Sequence, residues 1–468
     1  MSIPDQNQRK LDLYFLSVIS LYSFVLCCFS ICEGHDWGDD FALYLQQAQC
    51  LLSDCSKNLL LQNKFLTDNS EGIIGPYFYP IGFPLLLSPL LFFFKFNLIV
   101  FKAFTAFLFV LSLPVIYFVF KKTFNNLISS KIHLIFIAVN PAFIFFSDNV
   151  LSDLPFILFF YTSLFLMLNK DESHRNYFLA GMAMAAATLT RDMGILLFPT
   201  FVMHKLIENK ILKKDRPYLI EWAPKVLIIL LFLVLSYKVN QVYTSNSGEV
   251  FKLILDKVSF NYSIENFVFY ANAFANLFGF GNIVGSILMI FSVLGFFLLL
   301  RSHISLGFLF CIFLLVHFIL PFRDLRYIFP LAPLYFLFFI LGLGKVLHFF
   351  NWRTSLALSV LAFFFVVFSF KDIFYNKVTC NNEALSNEIN EIYTYIKCRT
   401  PLDAIIFFDK PRALRLFTDR NAVNSSNYNV VNSLKTKYLI SKNENELNED
   451  LFKLEFCNKT YCLYKIIK

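Results

Sequence analysis

GHDWGDDFALYLQQAQCLLSD, residues 34–54, is the stretch whose reading decides the fold. It follows an apolar run, residues 11–33, long enough to cross a bilayer as a helix of about twenty residues or more. Four carboxylates then arrive close together: Asp36, Asp39, Asp40 and, one helix later, Asp54. Between them Phe41, Tyr44, Leu45, Ala48 and Leu52 recur at three- and four-residue spacing. That period predicts an amphipathic helix lying against something apolar, with acid at its N-terminal end. A helix N-terminus favours acids, so one reading of Asp39 and Asp40 is capping. The other is a carboxylate held at the membrane surface as a catalytic base.

The rest of the chain bears on that choice. Of 468 residues, 57% are apolar and 62 are Phe, with mean hydropathy +0.59, which makes this a polytopic membrane protein. The net charge of +8 is no nucleic-acid signature, because the basic residues sit between apolar runs, as in cytoplasmic loops. Cys27, Cys28, Phe29 and Ile31 replace the small residues of a cleavage site, and Arg9 and Lys10 predict a cytoplasmic N-terminus.

Residues 71–94, EGIIGPYFYPIGFPLLLSPLLFFF, carry four prolines, and the apolar part from Ile81 to Phe94 is too short to span. It is expected to lie in the interface. Eleven spans are expected, at 11–33, 97–120, 132–147, 154–169, 177–190, 193–207, 223–240, 276–300, 304–321, 328–346 and 354–371. With the basic turns inside, this places Asp40, SDNVLSDLP (147–155), the Thr190-Arg191-Asp192 joint and PFRDLRY (321–327) on the outer side. The expected division is a membrane domain over 1–371 and an outer α/β domain over 372–468. In the tail, residues 388–397 read as a helix, 404–408, 438–440 and 462–467 as strands, and PRALRLF as a Pro-led helix.

Acid therefore gathers outside at Asp40 and Asp153, and base at Arg191, Arg323 and Arg326. Charges at span ends are costly and mark function by default. The plainer alternatives are a helix cap for Asp153, snorkelling for Arg191 and an interfacial anchor for Arg326-Tyr327. Together they describe a pocket with carboxylates at one end and cations at the other. A lipid phosphate suits the cations, and a hydroxyl or amine to be activated suits a carboxylate. His35 is the one histidine near other ligands, so a divalent cation at Asp40, Asp153 and His35 is a further reading. No P-loop, GxGxxG or nucleophile elbow is present. Cys50, Cys55, Cys380, Cys398, Cys457 and Cys462 lie outside the spans, and Cys457 and Cys462 flank a short turn that would make them cross-strand neighbours. Asn261-Tyr-Ser matches a glycosylation sequon.

The order of features resembles the GT-C membrane glycosyltransferases, in particular the bacterial branch of protein O-mannosyltransferases and lipid A aminoarabinose transferases. The marks are Asp40 four residues before Tyr44, YPIGFPLLLSPL (79–90), NPAFIFFSDNVLSDLPF (140–156), LTRDMGILLFP (189–199) and RYIFPLAPL (326–334). Phe41 stands where the family often has Glu, and Ile81 replaces one Pro. The resemblance implies an inverting transfer of sugar from a polyprenyl-phosphate donor to a lipid, glycan or protein acceptor at the outer face of the bacterial inner membrane. Asp40 would be the general base and Asp153 would orient the acceptor or a metal. Arg191 and Arg326 would hold the phosphate, and Tyr44, Tyr79 and Tyr327 would line the substrates. Helix 81–94 and its neighbouring spans would form the prenyl groove. The competing classes are a transporter or flippase of a lipid-linked anion, disfavoured by spans of Phe, Leu and Ile with little polar path, and a non-catalytic assembly partner.

Overall fold

The computed structural model describes residues 6–35, 39–71, 75–124, 127–169, 173–212, 217–244, 260–320, 323–378, 383–425, 437–442 and 450–467. Asp36 and Cys380 lie outside them. Helices α1 (Gln6–Ser30), α5 (Leu98–Phe120), α11 (Pro217–Thr244), α13 (Asn282–Leu300) and α16 (Thr354–Val378), together with the stretch Leu325–Phe349, are long and apolar enough to cross a membrane. A seventh span is broken: α6 (Leu127–Ala138) and α7 (Pro141–Ser147) meet at 42°. The bend has a local cause. Asn140 precedes a proline, which disfavours helical backbone, and its side chain caps α7 on the Ala142 N–H at 3.0 Å. Of the eleven expected spans, the remaining four are the short apolar helices α8 (Asp153–Met167) and α14 (Ile304–Ile319), and α9 (His174–Thr190) and α10 (Leu197–Leu212). The span expected over 276–300 starts later, because α12 (Phe260–Asn276) is a separate helix.

Phenylalanine fills the bundle. Phe136 stacks on Phe336 with centroids 5.6 Å apart and meets Phe365 at 4.6 Å, and Phe278 meets Phe339 edge-on at 4.7 Å. The opposite end of the bundle from the site is fastened by a buried Asp12 paired with Lys121.

Between α1 and α5 the first loop folds as three helices: α2 (Asp40–Ser53), α3 (Ser56–Asn69) and α4 (Gly82–Phe94). Cys50 and Cys55 are disulfide-bonded where α2 ends at a left-handed Asp54. Helix α4 exposes Leu85, Phe92, Phe93 and Phe94, as an interfacial helix would. Its N-terminus presses on the end of α9: a Cβ at Gly82 would lie 2.6 Å from the Leu189 carbonyl oxygen. Only glycine lets the proline-rich loop sit so close to Thr190-Arg191.

The C-terminal part is a five-stranded sheet in the order β2-β1-β3-β5-β4. Its strands are β1 (Ile405–Phe407), β2 (Asn421–Val423), β3 (Lys437–Lys442), β4 (Phe452–Cys457) and β5 (Tyr461–Ile466). β1 runs parallel to β2 and β3, and β5 antiparallel to β3 and β4. Cys457 and Cys462 face each other across the β4–β5 turn and are disulfide-bonded. Helices α17 (Asn387–Arg399) and α18 (Pro411–Thr418) flank the sheet, and α17 buries Ile389, Ile392 and Ile396 on one face. Ala384 and Ala413 share one buried cluster with Phe41, Tyr44, Leu45 and Phe83, so this part packs directly on the first loop.

Candidate active site

Neither Asp39 nor Asp40 caps α2. Asp39 occupies the N-cap position but makes no side-chain bond to that helix. Its carboxylate turns outward to the C-terminal part, accepting the Ala413 N–H at 2.8 Å and the Arg412 N–H at 3.2 Å. These are first-turn donors of α18, so Asp39 caps a helix through donors 373 and 374 residues away in sequence. Burial pushes the Asp39 carboxyl above its usual range, against the pull of Arg412 and these two N–H groups.

Asp40, in the first turn of α2, points the other way. Its Oδ1 accepts the Tyr79 hydroxyl at 2.5 Å and lies 3.6 Å from Arg412 Nη1, and its Oδ2 accepts from Arg326 Nη2 at 2.6 Å. Burial alone would raise its carboxyl, but Arg326 and Arg412 together hold it below the ordinary value. Tyr79 is pushed well above the usual phenol range by burial and by the Asp40 charge, so it stays a donor.

Arg326 joins the two carboxylates. Besides Asp40 it reaches Asp153 Oδ2 at 3.9 Å and Asp324 Oδ2 at 3.0 Å. Asp324 also caps the 3-10 turn Leu325–Leu331 on the Arg326 N–H, which fixes where the guanidinium starts. Asp153, in the first turn of α8, pairs through Oδ1 with Arg191, held extended between α9 and the next turn. Tyr327 lies beneath both guanidinium groups, 5.5 Å from Arg191 and 5.3 Å from Arg326. Tyr44 stacks on Tyr79 at 4.5 Å and shares a hydrogen bond of 2.8 Å with Ser152. Among the described residues Asp153 Oδ2 is buried with no hydrogen-bond partner.

Asp40, Tyr44, Tyr79, Asp153, Arg191, Arg326 and Tyr327 thus converge from five separate stretches of chain. His35 does not join them. Its Nε2 accepts the Val150 N–H at 3.0 Å and its ring stacks on Phe41 at 4.1 Å, under α2. Arg323 also stays outside, binding Glu265 and Asn266. The donor set does not suit a divalent cation: His35 offers no free lone pair at Nε2, and Asp40 and Asp153 are already matched to arginines. Among the described residues no three His, Cys, Asp or Glu side chains gather where an ion could sit.

Arg412 is what the sequence reading missed. It is 1% exposed, donates to the Pro76 carbonyl at 2.7 Å and to Tyr79 Oη at 3.4 Å, and lies beside Asp40. Arg415, one turn on, donates to Gln46 at 2.8 Å and Asn63 at 2.5 Å in the first loop. The only signal in PRALRLF was two arginines on one helical face, which ordinarily marks the face toward water.

No family model matches the sequence, and no curated protein matches it. The fold is nevertheless shared with solved structures of ArnT and of an archaeal oligosaccharyltransferase. ArnT from Cupriavidus metallidurans, solved with undecaprenyl phosphate, superposes with TM-score 0.62 at 10% identity, covering 97% of this chain and 98% of that one. The Archaeoglobus fulgidus oligosaccharyltransferase tethered to an acceptor peptide gives 0.57 at 11% identity, over 92% of this chain and 69% of that one. AglB of the same organism, with an inhibitory peptide and a dolichol-phosphate, gives 0.56 at 12%, over 94% and 70%. The chain is a multi-pass membrane protein built like these enzymes.

Proposed function

We propose that this protein is an inverting glycosyltransferase that moves a sugar from a polyprenyl-phosphate donor to a hydroxyl or amine of a lipid, glycan or protein acceptor. Membrane lipids surround it and no nucleic acid takes part. One observation carries the reading: two carboxylates and two arginines, widely spaced in sequence, form a single chain, Asp40–Arg326–Asp153–Arg191. The fold shared with ArnT, which binds undecaprenyl phosphate, supports the donor class. Asp40 takes the acceptor's proton as the acceptor attacks the anomeric carbon. The bond from that carbon to the phosphate oxygen breaks, and the electron pair leaves with the phosphate. Arg326 and Arg191 meet that charge with preplaced donors. Asp153 Oδ2, which has no hydrogen-bond partner among the described residues, orients the acceptor, and Tyr44, Tyr79 and Tyr327 wall the pocket. The membrane domain is taken as 1–371 and the α/β domain as 372–468. The site and this domain face outward across the bacterial inner membrane, following the basic turns.

The test is transfer of radiolabelled sugar from polyprenyl-phosphate donors by purified Asp40→Asn protein. Removing a general base typically costs about 10²–10⁴-fold in rate, and a loss in that range is expected. Asp54→Asn, at an exposed left-handed position that Asn tolerates, is the control. Near-parent turnover in Asp40→Asn removes the base assignment, whereas absence of transfer by the parent protein itself favours a flippase reading of the arginines.

A further inference from the structure

The two assigned arginines cannot serve the donor and the resting site at once. Arg326 binds Asp40 at 2.6 Å, yet it is also the group that must meet the incoming phosphate. When it turns to the phosphate, Asp40, whose side chain is only 21% exposed, is left largely desolvated without the cation that neutralises it. A largely desolvated carboxylate in that condition gains affinity for a proton, and a protonated Asp40 cannot act as a base.

A second cation stands ready. Arg412 Nη1 is 3.6 Å from Asp40 Oδ1, on the side away from Arg326, and 3.4 Å from the Tyr79 hydroxyl bound to the same oxygen. It cannot follow the phosphate: the side chain is 1% exposed, and its Nη2 is engaged by the Pro76 carbonyl. Gly75, with φ +102°, leaves the space it fills, since a Cβ there would lie 3.4 Å from both terminal nitrogens. The backbone of Arg412 is pinned by Asp39 and its helix by Arg415. Stability alone does not explain the arrangement, because a buried ion is often replaced by an apolar side chain of similar volume at no loss.

We propose that Arg412 is a positioning residue of the catalytic centre, brought in by the C-terminal part to hold Asp40 and Tyr79 in place while Arg326 binds the donor phosphate. This rests on the proposed function. The site is then complete only when the C-terminal part is seated on the first loop. The groups facing Asp40 are Arg326 from the Leu325–Leu331 turn, Arg412 from α18, the Tyr79, Tyr44 and Tyr327 hydroxyls, and the carboxylates of Asp39 and Asp153. Arg412 is the one cation among them that the phosphate does not recruit.

The experiment is calorimetric titration of the full-length, detergent-solubilised protein with undecaprenyl phosphate. Run at pH 6 in two buffers of different ionisation enthalpy, it counts the protons bound with the ligand. The phosphate monoester has its own ionisation near pH 6, so the parent's proton count is the baseline against which the variants are read. Arg412→Gln should take up more protons per ligand bound than the parent, and the double variant Arg412→Gln/Asp40→Asn should lose that excess. Should the glutamine variant fail to fold, Arg412→Met fills the same space without charge and gives the same readout. A residue that merely glues the two parts together would change stability and leave proton uptake at the parent value. That result in the folded variant overturns the proposal while the phosphate site stands. If the parent does not bind undecaprenyl phosphate, the phosphate reading itself falls and takes this proposal with it.

Discussion

Asp40→Asn should bind undecaprenyl phosphate more tightly than the parent does, even as it loses transfer. The reason lies in the resting pair. Arg326 Nη2 donates to Asp40 Oδ2 at 2.6 Å, and a phosphate that recruits Arg326 must first break that bond. A hydrogen bond between charged groups is worth about 1.5–3 kcal/mol net, and one with a neutral partner about 0.5–1.5. Asparagine keeps the shape and an acceptor oxygen but not the charge, so the phosphate has about 1 kcal/mol less to displace. That is a fall in Kd of about fivefold. Asp324→Asn should give a smaller gain, since that carboxylate is 38% exposed and already solvated. Equilibrium binding of undecaprenyl phosphate to the purified variants reads both values. An unchanged or weaker affinity in folded Asp40→Asn would refute the reasoning, because Arg326 would then not be shared between base and phosphate.

Arg326→Ala and Arg191→Ala should each weaken undecaprenyl phosphate binding by about 1.5–3 kcal/mol, and Lys should restore it only in part because it lacks the fork; the same titration measures this. Asp39→Ala removes the acceptor for two α18 N–H groups and should loosen the seating of that helix by about 1–2 kcal/mol, seen as faster amide exchange over residues 412–418. Asp39→Asn keeps an acceptor and sheds a buried charge, so it should not melt below the parent. The pH dependence follows from Asp40. Its folded carboxyl is held below the unfolded value of about 3.9, so its ionised pairs stabilise the protein fully above about pH 4 and are lost as pH falls through the lower folded value. The difference in Tm between parent and Asp40→Asn should therefore stay level from pH 8 to about 5 and close below about 4. Cysteine labelling should place Thr123 on one side of the membrane and Asp403 on the other.

Local pattern made much of this legible. The period of Phe41, Tyr44, Leu45, Ala48 and Leu52 gives a helix packed by the first four, which are buried, while Leu52 in its last turn is 48% exposed. Leu154-Pro155 reads as a helix start, and α8 begins one residue earlier, at Asp153. Span ends were less legible, because length and hydropathy say little about where a buried helix bends, as at Asn140, or about the short helices that protein partners cover. Partners across the fold were not legible at all. Asp39 and Asp40 are neighbours in one turn, and helix-end chemistry suggested capping for both; instead one caps α18 and the other meets three side chains from distant segments.

The charges around Arg326 show why a partner in the C-terminal part matters. Arg326 faces Asp40 at 2.6 Å, Asp324 at 3.0 Å and Asp153 at 3.9 Å, so it is over-subscribed before any phosphate arrives. Adding a further anion forces some carboxylate to give Arg326 up. Asp324 can do so because water reaches it, and Asp153 can because Arg191 stays paired with it. Asp40 is the one carboxylate of the three whose substitute cation comes from outside the membrane bundle, in Arg412. A base that must stay ionised beside a departing phosphate needs a cation that does not leave with it. In this protein Arg412 sits on a helix held in place by Asp39, the residue immediately before Asp40.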